Sequence, residues 1–120
     1  MNPHIVLSLF HIFLVVPLFL VVGFLRANTP DWLYWVLLVL GLIIGVYHIY
    51  KLFIRYMHKT GGQWINLIHI LFVAPVLVYV GYNKKESLRA AYELLLLGGF
   101  SALGYHVLSI VRSLETLDNK

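Results

Sequence analysis

The segment Gly41-Leu42-Ile43-Ile44-Gly45-Val46-Tyr47-His48 closes the second apolar run of the chain, and its pattern returns as Gly99-Phe100-Ser101-Ala102-Leu103-Gly104-Tyr105-His106. A histidine inside an apolar run is costly in a bilayer and calls for a partner or a task. Working outward from these two segments, apolar runs extend over about 5–25, 31–56, 64–82 and 88–111. Each approaches or exceeds the roughly 20 residues that span a membrane. The composition agrees: 61% of residues are hydrophobic and 12% charged, against about 25% charged in soluble domains. The sequence predicts an all-α integral membrane protein, an antiparallel four-helix transmembrane bundle with short loops.

The ends of the runs carry interfacial signals. Asn2 and Pro3 are a candidate cap and first-turn pair, and Arg26-Ala27-Asn28 ends the first helix. Thr29-Pro30-Asp31 is the expected cap of the second, with Trp32, Tyr34 and Trp35 as an aromatic belt. Lys51, Arg55, His58 and Lys59 close that helix before the turn Thr60-Gly61-Gly62, and Ser87 is the expected N-cap of the fourth. Asp118-Asn119-Lys120 reads as a polar tail. The first run follows Met1-Asn2-Pro3-His4, with no Lys or Arg before it and no small-residue cleavage site after it, so it reads as a retained helix and not a signal peptide.

The spacing of 58 residues between His48 and His106 applies to the whole chain. At this shift His11 falls on His69, Pro17 on Pro75, Gly23 on Gly81, Arg26 on Lys84, Thr29 on Ser87, Tyr34 on Tyr92, Gly41 on Gly99 and Tyr47 on Tyr105. Apolar composition does not bring two His, two Pro and several Gly into register. The halves, about 1–58 and 59–116, form a tandem two-helix repeat within one transmembrane domain. Two spans per repeat give the copies one orientation, related by a pseudo-twofold axis along the membrane normal. Both termini then lie on one side, weighted toward the cytoplasm by Lys51, Arg55, Lys59, Arg112 and Lys120 against Arg26, Lys84, Lys85 and Arg89.

Threading the helices up and down brings His11, His48, His69 and His106 to one level, roughly 8–12 Å below the surface that holds the termini. Gly41, Gly45 and Ile44 share the His48 face on one side, Lys51 and Arg55 on the other; Gly99, Ala102, Ser109 and Ser113 stand likewise around His106. Ser8 and Asn66 lie one turn from His11 and His69, placed to fix imidazole tautomers. Tyr34 and Tyr92 take the far end of the same faces. Faces that are small above and polar below point into the bundle. Among the remaining features, Gly41 and Gly45 form a GxxxG packing motif, Pro17 and Pro75 are kinks, Glu93 pairs with Arg89, and Tyr47 and Tyr105 fall off the histidine faces. His4 and His58 are interfacial.

Cysteine is absent, which excludes thiolate metal sites and thiol redox chemistry. No nucleophile triad, phosphate loop or carboxylate pair suggests a hydrolase, and no basic patch interleaved with aromatics suggests nucleic acid. Four histidines at one level leave three chemistries. The foremost is b-type haem held by two axial histidines, with Gly41 and Gly99 giving room for the porphyrin and Lys51 and Arg55 near its propionates. Electron transfer, with a redox partner or a second copy of the chain in the bilayer, would follow, and any enzymatic role would be that of a membrane oxidoreductase. The next is a Zn, Cu or Fe ion on three or four of His11, His48, His69 and His106. The last is a proton pathway gated by the same residues; a structural histidine network is the bland counterpart. Two-histidine ligation between helices looks like that of membrane b-type cytochromes, a likeness confined to the four His positions. In length and span number the chain is similar to the small multidrug transporters, whose embedded glutamate in the first helix is missing here; His11 holds the nearest place.

Overall fold

A computed structural model describes residues 3–118, with side-chain surroundings for residues 3–116. Asn2, Asn119 and Lys120, singled out above, lie outside the described residues. All elements among those described are helical, with no strand. Four helices are long and apolar enough to cross a membrane: α1 (Pro3–Asn28), α2 (Asp31–His58), α3 (Gln63–Glu86) and α4, whose apolar stretch is Arg89–Thr116. Helix α4 runs on to Asp118, which is therefore helical and not the start of a tail.

The chain divides into two compact units, one made of residues 1–25 and 93–120, the other of residues 26–92. Each unit takes one long helix from each sequence repeat. The close pairs are α2 with α3 and α1 with most of α4.

In the unit of residues 26–92, α2 and α3 meet through small residues. A Cβ on Gly45 would lie 3.4 Å from the Ala74 Cβ, one on Gly41 would lie 2.9 Å from the Leu77 Cβ, and one on Gly81 would fall 2.5 Å from the Leu38 backbone nitrogen. Residue numbers rise along α2 as they fall along α3. Tyr34, Leu37 and Gly41 are buried on α2, and Ala74, Leu77, Val80 and Gly81 on α3. That spacing of three, four and seven is the apolar stripe of a packed helix. Lys59 closes α2 in the left-handed conformation at φ 55, and Gly62 at φ 91 begins α3. In the other unit, Ser8, Val16, Phe19 and Val22 of α1 are buried, as are Leu95 and Gly99 of α4. Gly99 sits against Leu20 and Phe19, and Phe24 meets Phe100 edge-on at 6.4 Å.

Two local features depart from expectation. Thr29 does not cap α2: Pro30 stands at the N-cap without a side-chain hydrogen bond, and the Thr29 hydroxyl is buried. The Ser87 hydroxyl turns back to donate to the Val80 carbonyl at 3.4 Å. The prolines act through π turns. At His11–Val15 and His69–Val73 the helix widens, and the Val16 and Ala74 amides donate to the His11 and His69 carbonyls five residues back. Pro17 and Pro75 follow directly. A proline lacks the amide hydrogen and crowds the carbonyl four residues earlier, so one wide turn before each relieves Phe13 and Leu71 while the helix continues.

Candidate functional site

The four predicted histidines come together two by two. His48 of α2 stacks on His69 of α3, ring centroids 4.0 Å apart and planes 11° from parallel. His11 of α1 stacks on His106 of α4 at 4.3 Å and 20°. The shift of 58 residues converts one pair into the other.

The local wiring repeats as well. His11 donates from Nδ1 to the Leu7 carbonyl at 2.8 Å, and His69 donates from Nδ1 to the Ile65 carbonyl at 2.7 Å. A carbonyl oxygen only accepts, so these bonds put the proton on Nδ1 and the lone pair on Nε2. Ser8 and Asn66 serve the histidine across the pair. His106 Nδ1 shares a hydrogen bond with Ser8 Oγ at 3.2 Å, and His48 Nδ1 meets Asn66 Oδ1 at 3.1 Å. Arg55 also donates to Asn66 Oδ1 at 3.4 Å, and to the Gly62 carbonyl at 2.9 Å. These donors fix which end of the amide is oxygen, so His48 donates to it. Tyr47 and Tyr105, expected away from the site, touch their neighbouring imidazoles edge-on at 5.1 Å. Phe10 does the same to His11 at 5.5 Å.

The remaining predicted residues take different roles. Gly41 faces Leu77 and Val78, whose atoms fill the space that a porphyrin was expected to use; Gly99 faces Leu20 and Phe19. Lys51 is half-buried on α2. Arg112 lines an open cavity of about 280 Å³ with Ser109, Ser113, Tyr105 and His4. Among the described residues no group of three or more His, Cys, Asp or Glu converges on a point that could hold a metal ion.

At the other end of α2 the repeat builds a second constellation, which the sequence marked only as two tyrosines on one face. Tyr34 donates to the Arg26 carbonyl at 2.7 Å and Tyr92 to the Lys84 carbonyl at 2.8 Å, while the two hydroxyl oxygens lie 2.8 Å apart. Two hydroxyl protons thus serve three short contacts. Arg26 and Lys84 both hold positive φ, 53 and 52, a region that non-glycine residues enter at a cost. The tyrosines tie down those two strained residues. The Lys84 ammonium also sits 4.6 Å over the Trp35 ring, a cation–π contact. Between the histidines and this clasp lie Leu37, Leu77 and Val80, all fully buried, so the two polar levels of this unit are separated by a dry apolar layer.

Comparison with protein-family models, curated proteins and solved structures finds no match for this chain.

Proposed function

We propose that the chain is a multi-pass membrane protein that binds protons, each stacked histidine pair acting as a one-proton site. The observation that carries this reading is the face-to-face contact of His48 with His69, matched by His11 with His106. An imidazolium lies favourably on a neutral imidazole face. A second charge about 4 Å away costs roughly 4 kcal/mol at the effective dielectric of a protein. Charging both rings of a pair therefore favours their parting. The groups around the rings are consistent with this. His48 and His69 are met by Tyr47, Asn66 and, through Asn66, Arg55; His11 and His106 by Phe10, Tyr105 and Ser8. The dry layer of Leu37, Leu77 and Val80 argues for proton binding coupled to helix movement over an open channel, and the π turns beside His11 and His69 are natural places for that movement.

In this reading the four helices form an antiparallel bundle of two tandem repeats about an axis along the membrane normal, with both termini on one side. The apolar side chains that remain exposed on every helix, such as Phe13, Val46, Leu71 and Leu97, suit contact with lipid.

The absence of cysteine allows a direct test. Spin labels placed on Val46→Cys and Leu71→Cys, both exposed and in one unit, report the α2–α3 separation. Acidification from about pH 8 to about pH 4, across the histidine range, is expected to widen it by about 2 Å, the scale of helix shifts in switching proteins. His69→Phe keeps a flat ring and removes the charge, and should abolish the change. An unchanged distance distribution in the parent would defeat the proposal.

Haem is a second reading, favoured by the Nδ1 bonds of His11, His48 and His69, which aim basic Nε2 atoms away from their anchors as axial ligands require. The stacked rings would have to part to hold a haem iron between them, and the iron would supply one-electron redox chemistry. Purified protein titrated with haemin should then gain a Soret band that is lost in His48→Ala and His106→Ala. No band after haemin addition disposes of this reading.

A further inference from the structure

We infer that the unit of residues 26–92 holds a small-anion site of the chloride class, formed by the Asn66 amide and the Arg55 guanidinium beside the His48–His69 pair. Asn66 is 1% exposed and its Nδ2 has no hydrogen-bond partner among the described residues. Its oxygen is committed to His48 and Arg55. Turning the amide over would set its N–H groups against the Arg55 donor, so the orphan is a donor and requires an acceptor. The described residues supply none. From Trp32 to Lys85 the sequence contains Lys51, Arg55, Lys59, Lys84 and Lys85, with His48, His58 and His69, and not one Asp or Glu. The acids of this unit, Asp31 and Glu86, belong to the far end of α2 and α3, where α2 begins and α3 ends.

Among the described residues the half-buried Arg55 guanidinium meets a backbone carbonyl and an amide oxygen and no carboxylate. The amide that Arg55 meets through its oxygen carries buried N–H groups with no acceptor among the described residues. A monovalent anion answers both, satisfying the amide by hydrogen bonding and the guanidinium by charge. One amide and one guanidinium suit an anion as small as a halide. The other repeat lacks the site: Ser8 stands where Asn66 does and Ser113 where Arg55 does, so the chain holds one such site and not two. The inference goes beyond proton binding, since it rests on Asn66 and Arg55 and not on histidine charge. An anion here would also balance a proton taken up by His48 and His69.

The test uses the full chain in detergent micelles and chloride-35 line broadening near neutral pH. Saturable broadening above that of empty micelles is expected, reversed by bromide and not by gluconate at equal ionic strength. Arg55→Ser and Asn66→Ser import the residues of the other repeat and should each weaken binding about ten-fold or more, the scale of a lost hydrogen bond to a charged group. Asn66→Asp keeps the shape, places a carboxylate at the site and should abolish binding in a protein of unchanged helicity. Broadening no greater than that of micelles alone, or unaltered in all three variants, overturns the site. The spin-label distances report the histidine pair separately, so either proposal can fail without the other.

Discussion

Gly81→Ala is expected to force α2 and α3 apart and to destabilise the protein by about 3 kcal/mol, the upper part of the range for overpacking. The added Cβ would fall 2.5 Å from the Leu38 nitrogen and 2.8 Å from its Cα. Both are backbone atoms, so no rotamer change relieves the clash. Gly41→Ala meets the Leu77 Cβ and Val78 Cγ2 at 2.9 Å, with the Val78 nitrogen at 3.0 Å, and should cost about 2 kcal/mol. Gly99→Ala presses first on Leu20 Cδ2 at 2.8 Å, the flexible end of a side chain, and should cost less. Gly104→Ala meets nothing within 4 Å and should stabilise α4 by about 0.5–1 kcal/mol through helix propensity. Reversible unfolding in mixed micelles, followed by circular dichroism, gives the order. A tolerated Gly81→Ala would mean that α2 and α3 do not meet at this distance.

The tyrosine clasp should show the next largest effect. Tyr34→Phe removes the donor to the Arg26 carbonyl and one side of the hydroxyl contact with Tyr92. A buried polar group left without its partner costs about 1–3 kcal/mol, and Tyr92→Phe should cost a similar amount through Lys84. The two losses should not add. Each single change already breaks the shared contact, so the double variant is expected to fall short of the sum by about 0.5–1 kcal/mol, a coupling typical of residues in one hydrogen-bonded network. Strict additivity in the cycle would show that the two hydroxyls act independently.

Four apolar runs, the shift of 58 residues and the histidine faces were all legible in the sequence, because span length, a shared spacing and helical periodicity are read along a single chain. Ser8 and Asn66 were legible as tautomer-fixing partners, although they serve the histidine of the facing helix, and His11 and His69 turn to their own backbone. What periodicity cannot give is the neighbour. It tells which face His48 occupies, and the identity of the opposing ring depends on which helices pack, here α2 with α3 and α1 with α4. The same limit hid the stacking within each pair. The π turns were hidden for another reason: a proline six residues after a histidine reads equally well as a kink. Tyr34 and Tyr92 were placed on one face, but their bonds run to carbonyls exposed by positive φ at Arg26 and Lys84, which residue type alone does not announce. Thr29, expected within the cap of the second helix, does not cap it.

The central claim, that imidazoles in contact share one proton per pair, is tested most directly by site-resolved nitrogen-15 NMR of the four histidines across the acid range. Stacked pairs predict coupled, two-step curves, with His48 and His69 following one another and His11 and His106 doing the same. His69→Phe should then reduce His48 to a single step and leave the His11–His106 pair unaltered. Four independent single-step curves, unaffected by His69→Phe, would contradict it.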